Sequence, residues 1–173
     1  MIRLHCRWRN PRHPAPKKSD LRRFAAAAAA AAGLPARPPW DLNLLFVGDA
    51  AMTRYNGELL GHAGTTDVIT YSYFDTADAW EPGETMIELV LNPDAAAREG
   101  AVRPGGYPRE LALYLVHGLL HSAGEDDLSA AARRRMRRRE AECLKQLEAD
   151  FDFAGIFPDR PPCRMKTFTT GEE

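Results

Sequence analysis

The sequence predicts an α+β domain: a small mixed four-stranded sheet packed with about five helices, with a metal site at the end of a buried central helix. Three observations predict it. Short stretches rich in β-branched, aromatic or alternating apolar residues are interleaved with segments of helical periodicity. The stretch from Arg109 to Leu120 is apolar on nearly every face, the mark of a helix buried on all sides. That helix ends in His117, His121 and the acidic turn Gly124-Glu125-Asp126-Asp127.

Each element has its own signal. Ile2, Leu4, Cys6 and Trp8 alternate with Arg3, His5 and Arg7, a half-buried strand. Residues 10–16 hold turn chemistry and form a loop. Ser19 or Asp20 then caps a helix through Leu21, Phe24 and the alanine run, closed by Gly33 and Pro35. Leu42 to Val47 is apolar enough for a central strand, and Asp49 caps a short helix ending near Gly57. Thr66 to Tyr73, rich in β-branched and aromatic residues, is a third strand, with Tyr71 and Tyr73 as sheet residues. After a loop over Phe74–Gly83, Thr85 to Leu91 is the fourth strand. Asn92-Pro93 opens a helix, with Asn as cap and Pro in its first turn, that ends near Gly100. A Pro- and Gly-rich loop from Arg103 to Pro108 leads to the buried helix. Leu128 to Ala149 is the last helix, with Leu128, Ala132, Met136, Cys143 and Leu147 inward.

With 173 residues, one domain over 1–150 is expected, followed by a loosely attached tail over 151–173. Hydrophobic and charged contents of 45% and 27% are ordinary globular values, and a net charge of −1 argues neither for nor against an anionic partner. Cys6, Cys143 and Cys163 show no metal-ligand spacing, no secretory apolar segment opens the chain, and the run Ala25–Ala32 is too short to span a bilayer. A reduced, cytoplasmic setting without membrane contact is expected.

The chemistry concentrates at the end of the buried helix. His117 and His121 stand four apart, one above the other on a helix face, where two imidazoles reach one ion. Gly124 accepts the left-handed conformation that ends a helix and turns the chain so that Asp127 comes back toward the pair. Two histidines, one carboxylate and one position for water make a catalytic zinc site; Asp126 is the neighbour that could serve instead of Asp127. The competing reading is a structural histidine pair. Only His5, His13 and His62 stand elsewhere in the chain, and burying two imidazoles on one apolar face without a partner is costly, which favours the metal. In H-x-x-x-H peptidases a Glu follows the first His as general base. Here that position is Gly118, which counts strongly against a peptidase.

The full stretch His117-Gly118-Leu119-Leu120-His121-Ser122-Ala123-Gly124-Glu125-Asp126-Asp127 resembles the hallmark H-G-x-L-H-x-x-G-x-D-H of the YbeY family of single-metal endoribonucleases, which act in ribosomal RNA maturation. Residues 66–71, TDVITY, the strand from Glu84 to Leu89, Glu110-Leu111-Ala112 and the segment from Met136 to Glu140 match in the right order. The resemblance covers roughly Leu42 to Leu147.

The resemblance implies a metal-dependent endoribonuclease that hydrolyses RNA phosphodiesters, in which metal-bound water or the RNA 2′-OH attacks the phosphorus. It implies one divalent ion, foremost Zn2+, on His117, His121 and Asp127. The family's third ligand is usually His, and Asp127 makes a harder donor set that admits other divalent metals more readily. Where the family commonly carries a catalytic Arg, this chain has Leu60. Leu60-Gly61-His62 looks like a family variant in which His62 supplies the positive charge or proton-transfer group. Arg54, Arg109, Arg133, Arg134, Arg137 and Arg138 are the candidate RNA contacts, although the run from Arg133 to Arg139 also reads as a solvated helix face with Met136 inward. Ribosomal RNA and the ribosome or one of its subunits are the implied partners, and DNA is not. Two alternatives stand beside this reading. One is a zinc-dependent hydrolase of another substrate, with Glu125 or Glu110 as base; the other is a non-catalytic ribosome-associated protein with a structural metal.

Overall fold

A computed structural model describes residues 2–36, 39–72 and 86–159. Strand β1 (Ile2–Trp8) is followed by α1 (Lys18–Ala32), β2 (Trp40–Phe46), α2 (Asp49–Leu60), β3 (Val68–Ser72) and β4 (Met86–Leu91). Four helices close the described chain: α3 (Pro93–Gly100), α4 (Gly106–Ser122), α5 (Ala130–Glu148) and the short α6 (Phe153–Ile156). The mixed four-stranded sheet has the order β1-β2-β4-β3. β1 and β4 flank β2 in parallel, and β3 runs antiparallel on β4.

Register divides the sheet into two faces. Leu42, Leu44 and Phe46 lie level with Ile87, Leu89 and Leu91, and all six are essentially inaccessible beneath α1 and α4. On the other face a smaller cluster of Val47, Met52, Ile69 and Val90 tucks α2 against the β4–β3 side. The alanines of α1 serve that packing: Ala25, Ala28, Ala29 and Ala32 are buried with Leu21 and Phe24. α4 buries residues on every side along its length, among them Leu111, Leu115, Val116 and Leu119, as its all-round apolar sequence predicts.

Several boundaries differ from the sequence reading. α1 begins at Lys18, and its cap position is Lys17 with no capping side chain; Ser19 and Asp20 fall inside the first turn and bond each other. α2 passes through Gly57 and ends at Leu60, capped by Gly61, whose φ of 67° supplies the left-handed stop. α4 starts at Gly106 within the expected loop, and Leu128 stands 86% exposed outside α5. Residues 151–157, expected as the start of a loose tail, pack onto the core. Phe153, Ile156 and Phe157 are buried in the main core, where Phe24 meets Phe151, Phe153 and Phe157 edge-on at 5.5, 5.6 and 5.5 Å. Large aromatic surface, not the Pro and Gly around it, decides the placement of that stretch. Tyr73, the loop Phe74–Gly83, Glu84, Thr85 and the remaining tail with Cys163 lie outside the described residues.

Candidate metal centre

The last turn of α4 presents His117 and His121 on one face. Their Nε2 atoms lie 3.0 Å apart, with the rings nearly perpendicular and their centroids 4.5 Å apart. The other nitrogen of each ring is anchored. His117 Nδ1 is 2.6 Å from Glu140 Oε1 on α5, and His121 Nδ1 is 3.0 Å from the Glu125 carbonyl oxygen. Both acceptors hold a proton on Nδ1, which leaves two Nε2 lone pairs facing each other. Such a pair repels unless a cation or a shared proton sits between.

The chain turns sharply after the second histidine. Gly124 takes a φ of 94°, and the Glu125 amide donates to the Leu120 carbonyl at 3.0 Å, closing the helix end. The returning loop carries Asp127 so that one donor atom each from His117, His121 and Asp127 lies within 4.8 Å of the others. Asp126 is outside this group, and its carboxylate accepts from the Leu128 amide. Arg133 at the start of α5 donates to the carbonyls of Asp127 and Leu128 at 3.1 Å and so pins the loop. Two imidazole nitrogens on one tetrahedral zinc would be about 3.3 Å apart, given Zn–N bonds of about 2.0–2.1 Å. The observed 3.0 Å fits that chemistry with little movement.

Electrostatics around the pair are anionic. Burial works to lower the pKa of His117, but the hydrogen bond and charge of Glu140, with Asp67 and Asp127 behind them, raise it on balance. The same negative field favours a divalent cation.

A cavity of about 440 Å³ opens beside His117 and Glu140. Thr65 and Thr66 form one wall and Arg98, Arg103 and Tyr114 another. Both arginines are already engaged: Arg98 pairs with Asp49, and Arg103 with Glu99 and Glu110. Gly118 faces away from the metal cluster, into the sheet. A methyl group there would stand 2.7 Å from Leu89 Cδ2 and 3.0 Å from Thr70 Oγ1. The absence of a peptidase Glu at this position is therefore also a packing requirement of the α4–sheet contact.

The other sequence-predicted residues are dispersed. His62 is exposed just beyond Gly61 and does not line the cavity. Arg54 is exposed on α2. Arg109 pairs with Glu148 at 2.9 Å, eight residues before His117 and so roughly 12 Å away along the helix. Arg133 joins the metal loop as described, and Arg134, Arg137 and Arg138 are exposed on α5. Glu110 is buried and bound to Arg103 near the start of α4, while the Glu125 carboxylate lies 3.8 Å from Arg139. Sequence reasoning assigned no role to Glu140. The rule that a ligating histidine donates its second N–H to a carboxylate gives a signal for one, but not which of the several acidic residues downstream it would be.

Among the described residues no helix is long and apolar enough to cross a membrane. Residues 12–148 match the family model described as Endoribonuclease YbeY. A relative named Endoribonuclease YbeY from Anaeromyxobacter sp. is 34% identical over 128 residues, covering 74% of this chain and 65% of the relative. One of the same name from Rhodopirellula baltica is 38% identical over 125 residues, covering 70% of this chain and 61% of the relative. The chain thus spans less than two thirds of the length of these two relatives. A solution structure from Thermotoga maritima shares the fold at a TM-score of 0.51 and 18% identity, covering 95% of this chain and 100% of that one. The family match runs from the β1–α1 loop to the last residue of α5 and encloses both histidines, Asp127 and Glu140; the chain belongs to the endoribonuclease YbeY family.

Proposed function

We propose that this protein is a single-metal endoribonuclease acting on ribosomal RNA, with His117, His121 and Asp127 as ligands and Zn2+ as the resident ion. The observation that carries the reading is the pair of Nε2 atoms at 3.0 Å, each ring locked from behind by an oxygen acceptor, with the Asp127 carboxylate closing the triangle. Three protein ligands leave the open position of a catalytic rather than a structural site. A bound divalent ion supplies Lewis acidity toward a phosphoryl oxygen and a water of lowered pKa.

The chain's own residues do the rest. Glu140 and the Glu125 carbonyl hold the imidazoles in the ligating tautomer, and Arg133 keeps the Asp127 loop folded toward them. The cavity beside His117 offers hydroxyls from Thr65, Thr66 and Tyr114, while Arg98 and Arg103 in its wall are held by carboxylates and Asp67, Glu99 and Glu140 share the lining. Arg134, Arg137 and Arg138, exposed on the helix that follows the Asp127 loop, are the cations offered to the RNA backbone. A peptidase is disfavoured because Gly118 has no room for a general base. A cytoplasmic setting and association with the ribosome belong to the same reading.

A cleavage assay on ribosomal RNA tests it, run with purified protein, with His121→Ala and with chelated protein. Cleavage lost in both controls and restored to the chelated sample by Zn2+ is the expected result. No cleavage by folded, metal-loaded protein, or equal cleavage by all three samples, overturns the assignment.

A further inference from the structure

The first 23 residues hold eight cations, Arg3, Arg7, Arg9, Arg12, Lys17, Lys18, Arg22 and Arg23, against one carboxylate, Asp20. This is a side-chain charge of +7 in a chain of net −1, so the remainder carries −8. Three of the eight are spoken for. Arg3 pairs with Asp41, Arg12 pairs with Asp94, and Arg23 lies 5.9 Å over the Phe151 ring. Arg7, Arg9, Lys17, Lys18 and Arg22 have no ion-pair partner among the described residues.

Four of these five line two hollows along β1, and Lys17 is the residue before α1. Arg7 and Arg9, with His5, Asn43, Tyr55 and Glu88, line a cleft of about 310 Å³ between the open half of the sheet and α2. A second hollow of about 330 Å³ contains Arg7 again, with Lys18 and Arg22 of α1 opposite. Among the described residues Glu88 is the one carboxylate lining the first cleft, and it accepts from Asn43 at 3.2 Å. Lys17 and Lys18 stand at the positive end of the α1 dipole, where a carboxylate would stabilise the helix and a cation does not. Local stability therefore does not explain them.

We propose that β1 and the opening of α1 form a second RNA-binding surface, on which Arg7, Arg9, Lys17, Lys18 and Arg22 neutralise backbone phosphates away from the metal centre. β1 and β3 are opposite edges of the sheet, roughly 14 Å apart at about 4.8 Å per strand. The metal-bearing turn of α4 sits at the β3 edge, where Gly118 meets Thr70. An RNA long enough to reach both edges is held at two places and cut at one. That the polyanion is RNA rests on the nuclease reading; the cationic character of the surface does not.

The test is a salt titration of binding to a labelled 24-nucleotide single-stranded RNA, in chelator so that nothing is cut. The proteins are the parent, Arg7→Glu/Arg9→Glu, Lys17→Glu/Lys18→Glu and the conservative Arg7→Lys/Arg9→Lys, each checked by its melting curve. Each glutamate pair is expected to weaken binding at 0.1 M salt at least about tenfold and to flatten the slope of log K against log salt by about 1.4. The lysine pair is expected to retain the parent slope. If the cations only keep the exposed β1 edge from pairing with other chains, glutamate serves equally well, and unchanged affinity and slope overturn the proposal. Binding to vesicles of phosphatidylserine and phosphatidylcholine with no binding to RNA overturns it in favour of a lipid surface. Because no cleavage is measured, failure here leaves the nuclease assignment standing, and failure of the cleavage assay leaves this surface standing.

Discussion

At the scale of single residues, Glu140 and Gly118 divide the work around the two histidines. Glu140 fixes the tautomer and aim of His117, and Gly118 lets α4 approach Leu89 and Thr70 closely enough for the site to sit over the β3 edge. Glu140→Ala is expected to weaken Zn2+ affinity by about 10–100-fold with the fold retained, and Glu140→Gln, which keeps an acceptor but no charge, by less. Competition with a chromophoric chelator reads this directly; equal affinity for all three proteins would remove Glu140 from the site. The candidate ligands His117, His121 and Asp127 were legible in the sequence because i, i+4 spacing and a glycine turn are local rules. Glu140 was not, because only the docking of α5 against α4 selects it among its neighbours.

At the scale of elements, the loop after β1 is tied to the starts of α2 and α3 through Asp94. This buried carboxylate accepts from Asn10 at 3.0 Å and from the Asp49 amide at 3.1 Å, and it lies 3.1 Å from His13 Nε2 and 3.3 Å from Arg12. Burial alone would raise its pKa, but Asn10, the Asp49 amide, His13 and Arg12 together bring it below the usual carboxylate value. The stability it contributes is then fully present above the unfolded pKa near 4 and is lost as pH falls through the lower folded value. Asp94→Ala is expected to cost about 2–3 kcal/mol at pH 7, since it strands the Asn10 amide and the Asp49 N–H that Asp94 accepts from. Urea unfolding at pH 7 and pH 3 checks both points: the difference between parent and variant should shrink at the lower pH, and a constant difference would contradict it. The strands were legible from β-propensity and period. The starts of α1 and α4 were not, because the helices run into segments whose Lys, Pro and Gly signal loop, and tertiary burial of Leu21 and Tyr107 prevails over them.

At the scale of the whole molecule, α1, α4 and α6 form one layer on the sheet, and the aromatic residues after α5 complete it. Phe157 is 1% exposed and meets Phe24 edge-on. Phe157→Ala is expected to cost about 3–5 kcal/mol in urea unfolding, as for other buried phenylalanines; a loss under 1 kcal/mol would mean that the segment is dispensable. Composition near the chain's end hid this. Proline, glycine and acidic residues there suggest a tail, whereas three phenylalanines within seven residues supply enough apolar surface to dock. The α+β class and the mixed sheet followed from element order, while the strand order β1-β2-β4-β3 is a property of long-range pairing that no local pattern encodes.

The contact between His117 and Glu140 spans 23 residues, and the Arg133 clamp lies on the same late helix. During synthesis the chain grows from its N-terminus at about 5–20 residues per second. Both histidines therefore emerge before the carboxylate that orients the first of them, and the acidic loop emerges before its guanidinium anchor. A nascent chain holds an unfinished centre until α5 has cleared the ribosome and folded back. If the proposed substrate is ribosomal RNA, a chain still being made carries no finished centre beside it.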